Sequence, residues 1–173
     1  MDDKFKGKPV SIVVLTVSDT RTEKNDKSGD TLVERIKKAG HHLVEKRIVK
    51  DDLSLLKDTL KEWIDSVSVD VVIATGGTGV TGRDVTPEAF ESLYEKSIPG
   101  FGELFRWLSY QNIKTSTIQS RATAGVANGT FLFALPGSTG ACKDAWDMII
   151  VHQLNSTNKP CNLVELMPRL MEK

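Results

Sequence analysis

"DVVIATGGTGVTGRDVTPEA", residues 70–89, joins an apolar segment to a glycine-rich loop and then to a helix start. Residues 71–74 form a continuous apolar run, typical of a strand in a parallel sheet that helices cover on both faces. Four glycines follow between positions 76 and 82. Because glycine costs conformational entropy on folding, this density predicts that other groups approach the backbone closely. Thr86 and Pro87 then begin a helix, with the proline in its first turn.

The same alternation of strand, loop and helix extends along the rest of the chain. Apolar runs predict further strands at 11–17, 42–50 and 130–135, and amphipathic patterns predict helices at 30–40, 53–67 and 100–113. Asp30 is the expected N-cap of the first helix. Asn128-Gly129 is a strong signal for a β-hairpin turn. The chain is therefore predicted to be an α/β protein, a three-layer α/β/α sandwich with a mostly parallel sheet plus a β-hairpin.

Length and composition indicate one globular domain. The 173 residues predict a single domain over 1–173, with a short N-terminal tail (1–9) and a C-terminal extension (155–173) that is ordered in part at most. Lys+Arg and Asp+Glu both number 23, so no basic excess favours nucleic acid. No segment approaches the ~20 apolar residues of a membrane span. Cys142 and Cys161 form no zinc motif, so we expect a cytoplasmic protein with reduced cysteines.

Polar loops follow four of the predicted strands. They cover residues 18–30, 50–52, 75–86 and 136–139. Ligands of parallel α/β sheets bind outside the carboxyl ends of the strands. We therefore expect these four loops to gather on one rim of the sheet.

The glycine loop does not match the two common phosphate-binding signatures. A Walker loop ends in Gly-Lys-Ser/Thr, whereas Arg83 and Asp84 follow Gly82 here. The letters of G-x-G-x-x-G are present at Gly77, Gly79 and Gly82, but the loop follows the third strand and does not lead directly into a helix. The loop is instead predicted to hold an oxyanion through its bare N–H groups.

Acidic residues accompany this loop. Asp84 and one of Asp51 and Asp52 bring two carboxylates to the rim, and Mg²⁺ commonly uses one or two carboxylates beside its waters. Structural alternatives stay open, because Asp84 or Thr86 could cap the helix after the loop. Asp51 or Asp52 could likewise cap the helix that begins at Leu53. Phosphoryl or nucleotidyl transfer is the chemistry that best suits these groups.

Five segments together carry a resemblance to a known family: "SDTRT" (18–22), "TGGTGVTGRDVTPEA" (75–89), "PGFGE" (99–103), "QSRATAG" (119–125) and "LPGST" (135–139). With them the chain resembles the MoaB/Mog family of molybdenum cofactor biosynthesis, and its closing segment is most similar to the MoaB branch. The resemblance implies the molybdopterin-binding fold and a homo-oligomer, either a trimer or a hexamer. It also implies a Mg²⁺- and ATP-dependent adenylyltransferase that converts molybdopterin to adenylyl-molybdopterin and pyrophosphate.

The resemblance also implies which residues carry the reaction. Asp51 and Asp84 match the two aspartates of the family, and are expected to be catalytic and to hold Mg²⁺. The glycine loop is expected to bind nucleotide phosphates, with the arginines reducing charge repulsion. The full set of expected binding residues for ATP and molybdopterin is Ser18, Asp19, Thr75, Gly76, Gly77, Thr78, Gly79, Arg83, Ser120, Arg121, Pro136, Gly137 and Ser138.

Two other functions stay open on the sequence. The first is a molybdopterin- or nucleotide-binding protein of the same pathway with little or no turnover. The second is an assembly protein whose exposed helix faces form a scaffold. Its apolar candidates, for which core packing is an equal alternative, are Phe101, Leu104, Phe105, Trp107 and Leu108.

Overall fold

The centre of the molecule is a six-stranded sheet in the computed structural model, which describes residues 7–173. Its strands are β1 (Ser11–Val17), β2 (His42–Val49), β3 (Val71–Thr75), β4 (Lys96–Ser97), β5 (Thr123–Ala127) and β6 (Thr130–Leu135). The order across the sheet is β2-β1-β3-β6-β5-β4. β2, β1, β3 and β6 run parallel, while β5 is antiparallel to both of its neighbours. The predicted mostly parallel sheet is confirmed. Residues 1–6 of the predicted tail lie outside the described part.

Helices cover both faces of this sheet. They are α1 (Lys27–Lys38), α2 (Leu53–Ile64), α3 (Thr86–Glu91), α4 (Pro99–Ile113), α5 (Thr139–Ala145) and α6 (Val151–Gln153). A π-helical turn, Trp146–Ile150, joins α5 to α6, and 3₁₀ turns cover Lys114–Gln119 and Val164–Arg169. Within residues 7–173 no helix has the length and apolarity that crossing a bilayer requires.

The side chains of each strand divide between two cores, as the period of a β-strand requires. Val13 and Leu15 of β1 face a core that includes Leu56 of α2 and Phe90 of α3. Their neighbours on the other face meet a core formed with α1, α4 and α5, which includes Leu32. Two apolar cores on opposite faces of one sheet confirm the three-layer sandwich.

The start of α1 differs from the prediction. The helix begins at Lys27, and its N-cap is Asp26 rather than Asp30. The buried carboxylate of Asp26 accepts hydrogen bonds from Gly29 N at 3.0 Å and from Thr16 Oγ1 at 2.7 Å. Lys46 of β2 lies 3.1 Å from the same carboxylate. Tertiary contacts with β1 and β2 therefore determine which aspartate caps α1.

The hairpin between β5 and β6 is confirmed. Asn128 and Gly129 have φ values of 46° and 78°, and positive φ at both central residues is the type I′ geometry that suits paired strands. This turn reverses the chain between β5 and β6. The antiparallel pairing of these two strands therefore depends on Asn128 and Gly129. The two-residue strand β4 on the outer edge has no signal in the sequence.

The C-terminal extension is more ordered than expected. Leu163, Met167 and Leu170 pack against the core on the α4 side of the sheet, and Val164 is buried within it. The main chain is tied to α6 by a hydrogen bond from Leu163 N to Gln153 O, 2.9 Å long. These apolar contacts and this hydrogen bond attach the extension to the rest of the domain.

Candidate functional site

The four loops meet at the carboxyl ends of the parallel strands. Asp51 N donates to Asp19 Oδ1 at 3.3 Å, and Arg83 Nε donates to Asp19 Oδ2 at 3.1 Å. On the other side of the glycine loop, Thr75 Oγ1 donates to Pro136 O at 2.9 Å. Contacts therefore connect all four predicted segments, and the single rim is confirmed.

The first two glycines of the loop lie where any side chain would collide with the neighbouring segments. Gly76 has a φ of 106°, and a Cβ there would contact the carbonyl oxygen of Val17. Gly77 has a φ of 64°, and a Cβ there would lie 2.6 Å from Asp51 Oδ1 and against the hydroxyl of Thr86. The bare backbone at Gly77 is therefore what allows the Asp51 carboxylate to reach the loop.

The third glycine makes room for the second carboxylate. A Cβ on Gly79 would lie 2.7 Å from Asp84 Oδ2. That oxygen accepts hydrogen bonds from Thr81 N at 2.9 Å and from Thr81 Oγ1 at 2.6 Å. The hydrogen bonds from Thr81 hold the pKa of Asp84 below its usual value, with a further contribution from the Gly79 amide. Asp84 is therefore kept ionised beside the loop.

The capping alternatives are now decided. Helix α3 has no side-chain cap, because Asp84 bonds to Thr81, and the hydroxyl of Thr86 donates to Gly76 O at 2.8 Å. At the other acidic pair, Asp52 caps α2 by accepting from Leu55 N at 2.9 Å. Asp51 makes no cap and stays beside the glycine loop.

Negative charge accumulates around Asp51. Burial raises the pKa of Asp51 first, and the negative charges of Asp19 and Asp84 raise it further, while Arg83 acts in the opposite direction. Asp19 itself is paired with Arg83, whose hydrogen bond lowers the Asp19 pKa. A group that neutralises charge between Asp51 and Asp84 would relieve this repulsion.

These two carboxylates fit Mg²⁺, which prefers hard oxygen ligands and keeps several waters. Across residues 7–173 no group of three or more His, Cys, Asp or Glu side chains is arranged to hold a metal. The carboxylate pair with solvent therefore suits a hydrated, weakly held cation better than a closed structural metal site.

A cavity of about 590 Å³ opens beside the loop. The predicted residues that line it are Gly77, Thr78, Gly79, Asp84, Ser120, Pro136, Gly137 and Ser138. Other predicted residues stand outside its lining: Ser18, Asp19, Asp51 and Arg83 on the adjoining rim, Thr75 and Gly76 at the base of the loop, and Arg121 behind it. The structure thus divides the predicted set into a cavity and a charged rim.

In the turn at Pro136–Ser138, hydrogen bonds to the Gly137 carbonyl fix the direction of the Ser138 N–H group. Gly137 O accepts from Ser28 Oγ and from Arg21 Nη2, each at 3.2 Å. Because a trans peptide places N–H opposite C=O, the Ser138 N–H faces away from these two donors. Ser138 also caps α5, accepting from Ala141 N at 3.1 Å. The cap uses the side chain of Ser138 and leaves its main-chain N–H available for the site predicted from the sequence.

Arg121 has a different position from the one expected for a phosphate-binding side chain. Its Nε donates to Gly79 O at 2.7 Å, and its Nη2 donates to Asp84 O at 2.9 Å. Its Nη1 donates to the carboxylate of Glu88, and its main-chain N donates to Thr78 O at 3.0 Å. Arg121 therefore clamps both ends of the glycine loop from behind.

Replacing Arg121 by Lys should loosen this loop, because one ammonium group cannot reproduce the planar fork of donors that reaches both ends. We expect amide hydrogen exchange in residues 79–84 to accelerate about tenfold, since local opening becomes about 1.4 kcal/mol easier. Arg83→Lys is the matched control, because Arg83 contacts Asp19 and none of the loop carbonyls. Unchanged exchange in Arg121→Lys would contradict the clamp.

The sequence reasoning missed one wall of the cavity. Residues at positions 105, 109, 112 and 113 of α4 line it, together with the following 3₁₀ turn and Asp144 of α5. Their spacing places the α4 residues on one helix face. Nothing in that pattern distinguishes a cavity wall from an ordinary core contact.

The chain is similar to known proteins in sequence and in structure. A family model described as "Probable molybdopterin binding domain" matches residues 13–156. Molybdenum cofactor biosynthesis protein B of Escherichia coli (strain K12) is 50% identical over 154 residues, which cover 89% of this chain and 91% of that protein. The protein of the same name from Bacillus subtilis (strain 168) is 46% identical over 142 residues, covering 82% and 84%.

Solved structures show the same similarity. A crystal structure of molybdenum cofactor biosynthesis protein B has a TM-score of 0.86 at 40% identity, covering 96% of this chain and 99% of that one. The tungsten cofactor synthesizing protein MoaB of Pyrococcus furiosus has a TM-score of 0.75 at 41% identity, covering 83% and 91%.

Proposed function

Because this chain belongs to the MoaB/Mog family of molybdopterin-binding domains, we propose that it acts in molybdenum cofactor biosynthesis as a Mg-ATP-dependent molybdopterin adenylyltransferase. The terminal phosphate of molybdopterin forms a bond to the α-phosphorus of ATP, and the bond from that phosphorus to the β-phosphate oxygen breaks. The products are adenylyl-molybdopterin and pyrophosphate. One observation supports this most: two carboxylates, Asp51 and Asp84, pack directly against bare glycines of one loop beside a large cavity.

The loops supply the neutral donors that a phosphoryl reaction needs. The glycine loop is held in one conformation by Arg121, so its N–H groups are oriented before the substrate arrives. Ser138 N–H faces away from the α1 side, at the end of the cavity where α5 begins. Preorganised donors of this kind stabilise charge that develops on transferring oxygens.

Mg²⁺, held by Asp51 and Asp84, would neutralise part of the charge on the reacting phosphates. Asp84 is kept ionised by Thr81, and Asp51 is close enough for its pKa to respond to Asp84. Arg83 and Asp19 form an ion pair on the same rim. Asp19 engages Nε and Nη2 of Arg83, so the remaining N–H donors of the guanidinium can bind the phosphates while the ion pair is kept.

The direct test is a single-turnover assay with purified molybdopterin and Mg-ATP. We expect pyrophosphate and adenylyl-molybdopterin to form in equal amounts. Tight binding of molybdopterin without pyrophosphate would support the non-catalytic binder instead. Absence of binding to either substrate would overturn the proposal and favour a scaffold.

We also propose that copies of the chain associate, as trimers or hexamers, in the cytoplasm. The apolar α4 candidates are divided by the structure, since Phe101 and Phe105 are buried in the core. Leu104 and Trp107 are 42% and 63% exposed. Exposed residues of this size on one helix are typical of a surface that another copy covers.

A further inference from the structure

Thr81 occupies one oxygen of the Asp84 carboxylate and leaves the other free. Thr81 N and Thr81 Oγ1 both donate to Asp84 Oδ2, at 2.9 Å and 2.6 Å. In return, Asp84 N donates to Thr81 O at 3.1 Å. Each oxygen of a carboxylate has about two acceptor positions, so the two donors of Thr81 fill those of Oδ2. The acceptor capacity that remains on this carboxylate therefore lies on Oδ1.

The carboxylate of Asp51 carries no such restriction. Its main-chain N donates to Asp19 Oδ1 at 3.3 Å, but within residues 7–173 no hydrogen bond fixes the side chain. Both oxygens of Asp51 are therefore open to a cation. Of the two carboxylates proposed to hold Mg²⁺, only Asp84 presents its oxygens unequally, so any choice between cations is made there.

Divalent cations differ in how they use a carboxylate. Ca²⁺ takes roughly six to eight oxygen ligands in a flexible arrangement and accepts both oxygens of one carboxylate. Mg²⁺ is smaller, demands a nearly octahedral arrangement and keeps several waters, so one oxygen from each carboxylate is enough. A carboxylate with a single free oxygen therefore satisfies Mg²⁺ and deprives Ca²⁺ of a ligand.

We infer that Thr81 selects Mg²⁺ over Ca²⁺ at this rim, because it occupies Asp84 Oδ2 and leaves Oδ1 for the cation. Thr81 acts through Asp84 and is a positioning residue. The inference rests on the proposed function, since it concerns the cation that Asp51 and Asp84 would hold. If the same hydrogen bonds served only to close the loop, their loss would weaken the binding of both cations alike.

The test measures cation binding without turnover. Mn²⁺, which like Mg²⁺ suits octahedral oxygen sites, is added to the purified chain, and the free ion is followed by electron paramagnetic resonance. Mg²⁺ or Ca²⁺ then displaces the bound Mn²⁺ in separate titrations. Because both compete for the same bound Mn²⁺, the ratio of their affinities does not depend on the fraction of folded chain.

Three variants are compared with the wild type. Thr81→Val removes the hydroxyl donor and keeps the branched shape, while Thr81→Ser keeps the donor. The matched control is Thr157→Val, because Thr157 N and Oγ1 likewise donate to one side-chain oxygen, Asn155 Oδ1, at 2.9 Å and 2.8 Å. Neither Thr157 nor Asn155 lines the cavity beside the glycine loop.

We expect Mg²⁺ to displace Mn²⁺ from the wild-type chain at a lower concentration than Ca²⁺ does. In Thr81→Val the ratio of Ca²⁺ affinity to Mg²⁺ affinity should rise about fivefold, the scale of one lost hydrogen bond, since Oδ2 is then open to Ca²⁺. Thr81→Ser and Thr157→Val should keep the wild-type ratio.

A wild-type preference for Ca²⁺, or an unchanged ratio in Thr81→Val, would overturn this inference and leave the proposed function standing. A shift of the same size in Thr81→Ser or Thr157→Val would overturn it in the same way. Asp84→Asn identifies the site, and should weaken Mn²⁺ binding at least about tenfold. If the wild-type chain binds Mn²⁺ no more tightly than Asp84→Asn, both the inference and the proposed metal role of Asp84 are wrong.

Discussion

We expect Asp51→Asn to lower the rate of the proposed adenylyl transfer by about 10²–10³-fold, the scale on which a preorganised charge-stabilising group contributes. The amide keeps the shape of the side chain beside Gly77 but removes the negative charge that would bind Mg²⁺ in the proposed mechanism. The rate is measured as pyrophosphate release with saturating molybdopterin and Mg-ATP. Wild-type activity in this variant would contradict the role assigned to Asp51.

Asp52→Asn is the matched control, because it changes the adjacent residue by the same atoms. Asp52 caps α2 through Leu55 N, and Asn is as good an N-cap as Asp. We expect this variant to keep wild-type activity and stability. A comparable loss in both variants would mean that the segment as a whole, rather than the Asp51 charge, determines the rate.

The pKa of Asp51 provides an independent check on folding. Because this pKa is raised in the folded chain, the folded state binds more protons than the unfolded state above the ordinary value of 3.8. The contribution of Asp51 to the free energy of unfolding therefore falls as the pH rises through its titration, whereas the lowered pKa values of Asp19 and Asp84 act in the opposite direction. Asp51→Asn removes this penalty, so without Mg²⁺ its thermal midpoint at neutral pH should be no lower than that of the wild type.

The apolar pattern of the sequence predicts the sheet well, because buried strands are continuous apolar runs that can be recognised from neighbouring residues. Strands such as β1 and β6 are continuous apolar runs, and Asn128-Gly129 determines the hairpin through its own backbone preferences. The common rim also follows, because the carboxyl ends of parallel strands meet at one edge of the sheet. These features depend on residues that are close together in the chain.

The features that sequence reasoning missed depend on distant partners. Asp26 rather than Asp30 caps α1 because Thr16 and Lys46 reach it from two strands. Arg121 donates to the carbonyls of Gly79 and Asp84, about 40 positions earlier in the chain, and does not line the cavity. No local pattern shows either partner. The side chains of the site could be predicted by type, but not the direction in which each one points.

We expect the second large effect on the reaction rate from a substitution in the glycine loop, at Gly79. The φ of Gly79 lies outside the left-handed region, so its backbone tolerates an alanine. The new Cβ would lie 2.7 Å from Asp84 Oδ2, and the carboxylate must move away from the hydrogen bonds of Thr81. We expect Gly79→Ala to lower adenylyl transfer about 10²-fold, because small displacements of reacting groups are costly.

Stability separates this effect from a general disruption of the loop. Since Asp84 is only half-buried and its displaced carboxylate can reach water, we expect the free energy of unfolding of Gly79→Ala to change by less than about 1 kcal/mol. Gly82→Ala is the matched control, because a Cβ at Gly82 meets no atom within 4 Å. It should keep wild-type activity. If Gly82→Ala loses as much activity as Gly79→Ala, the loop needs glycine for flexibility; if neither variant loses activity, the position of Asp84 does not limit the reaction. Only a selective loss in Gly79→Ala shows that this glycine serves the carboxylate beside it.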